Sequence, residues 1–257
     1  MPQPQIEAQH VCVAAGLLAG CSGDLSGHNY LLQELSLQIH KGDRVGLVGS
    51  SGSGKSTLLR LLNRLVEPSS GQLWFDQQPY AALSPVQLRQ QITLVLPETR
   101  LLGMTVQQAI AYPLKLRGWQ PKAIQPRLTA WLDRLHIPQN WLDRTEHQLS
   151  TGQRQQVAIA RALVIQPTVL LLDEPTSMLD EGQATHLLAV LMELSQTDRM
   201  TIIMVNHALG QLQSWCDRVL HLQQGRLWRD VSATAVDWSM IQQEIRQADL
   251  AHAAEWE

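Results

Sequence analysis

The chain has 257 residues, 44% of them hydrophobic, 17% charged and 5% aromatic, with a formal net charge of −3. That length and apolar content suit one large α/β domain or two small ones and exclude a wholly disordered chain, and the slight acidity argues against a nucleic-acid partner. Apolar runs such as Val169 to Leu172 are strand-sized and far below the roughly 20 residues that a bilayer-spanning helix needs.

The start, MPQPQIEAQH, lacks a basic segment followed by an apolar one, so no secretory signal is expected. Cys12, Cys21 and Cys216 are odd in number and form no CxxC pair, which points away from a disulfide framework or structural zinc. Ala14 to Asn29, rich in Gly, Ala and Ser, reads as a loop or insertion. Leu35, Leu37 and Ile39 alternate with polar residues as in a half-buried strand. After a turn at His40 to Asp43, Arg44 to Val48 is a short buried strand running into a glycine-rich segment. Leu58, Leu61, Leu62 and Leu65 then fall on one helical face. Glu67 to Gly71 is expected to end that helix, and Gln72 to Phe75 to form a hairpin strand. From Ser84 to Gln166, Gln, Leu and Trp recur at helical spacing, and prolines are expected to cut the stretch into short helices. Thr168 to Leu172 reads as a central parallel strand. A helix carrying Ala184, Leu187, Leu188 and Leu191 follows. Strands are next expected at Thr201 to Val205 and Arg218 to Leu222, then a turn at Gln223 to Gly225. The alternation predicts a doubly wound parallel sheet with a helical insertion, and the tail from Val231 reads as one helix.

Two motifs carry chemistry. Gly49-Ser50-Ser51-Gly52-Ser53-Gly54-Lys55-Ser56-Thr57 fits the phosphate-binding loop GxxxxGK[ST], between a strand and an amphipathic helix as the mechanism requires. Its glycines let backbone N–H groups turn toward phosphates, helped by the helix N-terminus. Lys55, one of only four lysines, is placed to neutralise phosphate oxygens, and Ser56 to offer a hydroxyl to Mg2+. Asp173 and Glu174 end the apolar strand, the edge at which ligands sit in open α/β sheets. Asp173 is expected to hold the metal, and Glu174 to polarise the attacking water.

Leu149-Ser150-Thr151-Gly152-Gln153-Arg154-Gln155-Gln156 precedes a helix carrying Val157, Ala160, Leu163 and Val164. This stretch resembles the LSGGQ signature of the nucleotide-binding subunits of ABC (ATP-binding cassette) transporters, with Thr151 in place of a Gly. On its own it is a capped helix N-terminus with a glycine for close approach. The resemblance implies the ABC ATPase fold: a P-loop NTPase (RecA-like) core, an antiparallel β subdomain and an inserted α-helical subdomain. It implies a cassette over residues 1–230, with core segments at about 1–90 and 165–230, the helical subdomain at about 91–164 and a tail over 231–257. Further, it implies that Ser150, Thr151, Gly152 and Gln153 meet the ATP of a partner subunit, so that cassettes pair head to tail. Ser177-Met178-Leu179-Asp180 is similar to the family's D-loop, and His207 stands where the family has its switch histidine.

Two places depart from the family. Pro97, followed by Glu98, stands where a Gln is usual and lacks any side-chain ligand; either Glu98 substitutes or metal coordination and coupling are altered, and hydrolysis at a reduced rate is expected. No aromatic in Val11 to Ala15 is available to stack on adenine, and Tyr30 is the only one nearby. The resemblance thus implies an ATP- and Mg2+-dependent ATPase, as a homodimer or paired cassette. It would sit peripherally on the cytoplasmic face of the cell membrane. Its partners would be separate transmembrane subunits and, for an importer, a solute-binding protein. A soluble ABC-type ATPase such as a cluster-assembly ATPase, or a weakly hydrolytic regulatory cassette, are the alternatives. With only residues 226–257 after Gly225, no substrate-sensing domain is expected.

Overall fold

Residues 3–15, 30–98 and 100–254 are described by the computed structural model; Cys21 and most of the expected Ala14–Asn29 loop lie outside them. Two sheets form the frame. A four-stranded antiparallel sheet has the order β2-β1-β4-β5, with β1 Ile6–Ala14, β2 Tyr30–Ile39, β4 Ser70–Phe75 and β5 Gln78–Pro79. A six-stranded sheet has the order β10-β9-β3-β8-β7-β6. Its strands are β3 Arg44–Val48, β6 Ile92–Val95, β7 Val169–Asp173, β8 Thr201–Val205, β9 Arg218–Gln223 and β10 Arg226–Ser232. All neighbours in it are parallel except β9 and β10.

The apolar runs are explained by burial on both faces. In β7, Val169 and Leu171 join one apolar cluster with β1, β2 and the helix α1 (Lys55–Leu62), while Leu170 and Leu172 join a second one with the helices on the opposite face. The same period of two splits β8, whose Ile203 and Val205 face the first cluster and Ile202 and Met204 the second. That second cluster also takes in α3 (Val106–Leu116), α4 (Pro121–Arg134) and α5 (Thr151–Leu163), so the helical middle shares the sheet's core.

Several expectations need correcting. Helix α1 ends at Leu62, with Arg64 in the left-handed region (φ 56°), so Leu65 lies outside it and is 50% exposed. Prolines start α2 (Pro85–Gln91) and α4, but Pro113 and Pro126 lie inside α3 and α4 without ending them. Burial of Ile110, Leu114, Ile124 and Leu128 offsets the lost backbone bonds there. Strand β10 was not expected: its charged side chains mask an edge-strand alternation, and the C-terminal helix α8 (Trp238–Ala254) starts later than Val231.

Candidate functional site

The ends of the parallel strands bring the expected residues to one edge. Val205 at the end of β8 is in register with Asp173 of β7 and with Leu47 of β3, just before the phosphate loop. A cavity of about 250 Å3 lies there, bordered by Lys55, Ser56, Asp173, Glu174 and His207 among others.

The loop is shaped by its own backbone. Gly49 has φ +151°, and a Cβ on it would collide with the Leu222 carbonyl oxygen, so no larger residue fits. Ser53 turns inward: it is buried, and its carbonyl accepts from the Gly225 N–H at 3.1 Å. Its backbone thus ties the loop to Gly225, and it is not among the residues that border the cavity. Lys55 is 9% exposed, and its ammonium donates to the Gly49 and Ser50 carbonyls at 2.8 and 2.7 Å. Burial lowers its pKa, opposed by the carboxylates of Asp249, Glu174 and Asp173.

Asp173 is buried, which raises its pKa, while a hydrogen bond from the Ser56 hydroxyl opposes the rise. Two hard oxygen donors thus adjoin at the mouth of the loop, a set that suits Mg2+. Glu174 has φ +53°, an uncommon conformation for a non-glycine residue. Its N–H donates to the Val205 carbonyl at 3.0 Å, and its carboxylate Oε1 lies 2.8 Å from His207 Nε2.

Sequence reasoning missed the polar network beside His207. The Asn206 amide donates to Thr176 Oγ1 and Gln211 Oε1, both at 2.9 Å, and Thr176 donates to Gln211 at 2.8 Å. Asn206 Oδ1 also accepts from the Ala208 N–H at 3.0 Å. These amides and hydroxyls tie the turn after β8 to the segment after β7, and their spacing forms no sequence motif.

The signature stretch sits elsewhere. Ser150 caps α5 in a reciprocal box: its hydroxyl accepts from the Gln153 N–H at 3.2 Å, and Gln153 Oε1 accepts from the Ser150 N–H at 2.9 Å. Thr151 accepts from Arg154 at 3.2 Å. A Cβ on Gly152 would collide with the Met178 carbonyl oxygen, so within the chain this glycine permits contact with the segment before α6 (Glu181–Thr197). Asp180 caps α6, accepting from the Gln183 N–H at 2.8 Å. Among the described residues, those bordering the cavity include none of Ser150, Thr151, Gly152, Gln153 or Asp180.

Glu98 borders a different groove, with Arg100, Tyr112 and Arg161, and is not among the residues around the phosphate loop. Tyr30 opens β2 opposite Ala14 and is 40% exposed. No helix among the described residues is long and apolar enough to cross a membrane.

Comparisons with known proteins agree with this fold. The methionine import ATP-binding protein MetN of Carboxydothermus hydrogenoformans is 35% identical over 242 residues, 86% of this chain and 70% of that protein. MetN of Haemophilus influenzae is 40% identical over 200 residues, 76% of this chain and 58% of its own length. The chain thus spans 58% to 70% of the length of these curated relatives. Among solved structures, the dimeric bacterial ABC transporter cassette MJ0796 superposes with a TM-score of 0.79 at 26% identity, covering 89% of this chain and 98% of that one. CbiO1 of Clostridium perfringens, part of the ABC transporter complex cbiONQ, gives 0.76 at 27% identity, covering 98% and 99%. Residues 32–177 match the ABC transporter family, more than half of the chain, and with that match and these relatives the chain belongs to the ABC transporter family.

Proposed function

We propose that the chain binds ATP with Mg2+ and hydrolyses it to power solute import through separate transmembrane subunits. The observation that carries this reading is the 2.8 Å contact of Glu174 with His207, on the same cavity as Lys55, Ser56 and Asp173. The N–H groups of Gly49 to Thr57 and the Lys55 ammonium hold the phosphates, and Ser56 and Asp173 hold the metal. Bound Mg2+ would neutralise charge on the β- and γ-phosphates. Glu174 orients a water in line with the γ-phosphate and takes its proton as the new P–O bond forms and the bond to ADP breaks. His207 fixes Glu174 and reaches the γ-phosphate side of the cavity. In this reading Asp180 and the signature residues Ser150, Thr151, Gly152 and Gln153 act across the interface with a second cassette. Pro97 supplies no ligand, and hydrolysis is slowed in consequence.

The cassette is taken to extend over residues 1–230, with 231–257 as a tail. It pairs with a second copy or a related cassette on the cytoplasmic face of the membrane. Import, and with it a solute-binding protein as further partner, is supported by the names of the curated relatives; the cargo those names carry, methionine, is theirs. The test is a pull-down of tagged Glu174→Gln protein with ATP from detergent-solubilised native membranes. A polytopic membrane protein recovered in near-equal amount supports the transporter reading. Recovery of soluble partners alone replaces it with a soluble ABC-type ATPase.

A further inference from the structure

The last helix reaches the phosphate loop. Trp238, Ile241 and Ile245 follow the spacing i, i+3, i+7, and this stripe packs on the second apolar cluster, with Ile241 2% exposed. The next position on the stripe is Asp249, a carboxylate where the pattern calls for an apolar side chain. There the helix leaves the core and passes over the loop: the Ser51 N–H donates to Asp249 Oδ1 at 2.9 Å. Ser51 borders the same cavity as Lys55 and Glu174, so its N–H is one of the donors the loop has for an anion. Among the carboxylates that favour the Lys55 ammonium, Asp249 is the strongest.

Upstream, α8 is fastened firmly. Asp237 accepts from the Met240 N–H at 3.0 Å, and Glu244 takes both guanidinium nitrogens of Arg229 at 2.6 and 2.8 Å. Downstream the attachment is weak. Leu250 is 64% exposed, and a cavity of about 840 Å3 separates Trp238, Arg246 and Asp249 from Gly49, Lys55 and His207. A contact so exposed can be displaced by a competing polyanion.

We propose that α8 is a latch on the phosphate loop, with Asp249 occupying an anion position that nucleotide must take over. The inference rests on the nucleotide-binding reading above. While the latch is closed only the open fraction binds, so apparent affinity falls by that fraction. Whatever draws α8 away raises nucleotide affinity, and bound nucleotide in turn frees α8 to meet a partner.

The test is titration of the full chain with Mg2+ and adenylyl imidodiphosphate, a non-hydrolysable ATP analogue, at low salt. Asp249→Ala is expected to bind it about two- to fivefold more tightly than wild type. Arg229→Ala, folded by circular dichroism, loosens α8 away from the loop and is expected to tighten binding as well. Through-space charge alone predicts the opposite sign for Arg229→Ala, because a cation is lost near an anionic ligand. Tightening by Asp249→Ala with weakening by Arg229→Ala therefore overturns the latch, as does unchanged affinity in Asp249→Ala. Those results leave the nucleotide-binding reading standing. Failure of the wild type to bind the analogue removes both.

Discussion

The Glu174 carboxylate and the His207 imidazole are 2.8 Å apart, joined across the register of β7 and β8. Glu174 is fixed from its backbone as well, in a left-handed conformation whose N–H is held by the Val205 carbonyl. Such local strain is sustained only where surrounding contacts over-determine it, here the Val205 carbonyl on its N–H and the Ser177 hydroxyl, which donates to the Glu174 carbonyl at 3.0 Å.

Glu174→Gln keeps the size of the side chain and removes the base. Turnover of ATP is expected to drop about 10²- to 10⁴-fold with nucleotide binding retained. Steady-state phosphate release beside equilibrium binding of ATP checks both halves.

In the proposed function His207 positions Glu174 through their 2.8 Å contact, so the two losses overlap. His207→Ala is expected to slow turnover, and adding it to Glu174→Gln to cost little more. A double-mutant cycle on phosphate release measures this; additive losses would mean that the two residues act independently.

Gly152→Ala places a methyl group against the Met178 carbonyl, which is backbone and cannot swing aside. The expected cost is about 1–3 kcal/mol of stability. Thermal unfolding of the variant beside Gly118→Ala checks it, since a Cβ on Gly118 meets open space, although its φ of +74° adds backbone strain of its own. The stability loss at Gly152 should be the larger.

His221 on β9 is 3% exposed, and burial lowers its pKa below the ordinary 6.5, opposed by Glu244 at 3.7 Å. The unfolded chain therefore takes up this proton at higher pH than the folded one. Stability from this site is complete above pH 6.5 and declines as pH falls below it. Urea unfolding between pH 7.5 and 5.5 is expected to show that decline, and His221→Gln to flatten it.

At Pro97 the expected change is a gain. Pro97→Gln restores a side-chain oxygen and a backbone donor after β6, and turnover should rise. An unchanged rate would show that Pro97 does not slow hydrolysis.

What could be read from sequence divides along physical lines. Val169 to Leu172 was legible because a strand buried on both faces has no polar position. The turn from β3 into α1 at Gly49 to Thr57 was legible because its glycines take backbone conformations that other residues avoid. Leu65 misled because periodicity continues past the point where Arg64 turns the chain out of the helix. Strand β10 was hidden because its edge position replaces apolar residues by Arg226, Arg229 and Asp230. Asn206, Thr176 and Gln211 were invisible because a polar network is set by three-dimensional proximity and has no linear period. The contact of Asp249 with Ser51 was hidden for the same reason: nothing in the tail's composition says that the helix passes over the loop.

Light scattering of size-separated Glu174→Gln protein tests most directly the proposed ATP site shared between two cassettes. With saturating Mg2+ and ATP the mass should double relative to the nucleotide-free protein, because in the proposed function Ser150 to Gln153, which do not border the chain's own cavity, meet phosphate across a dimer. A variant that binds ATP and stays at the mass of one chain would contradict the account.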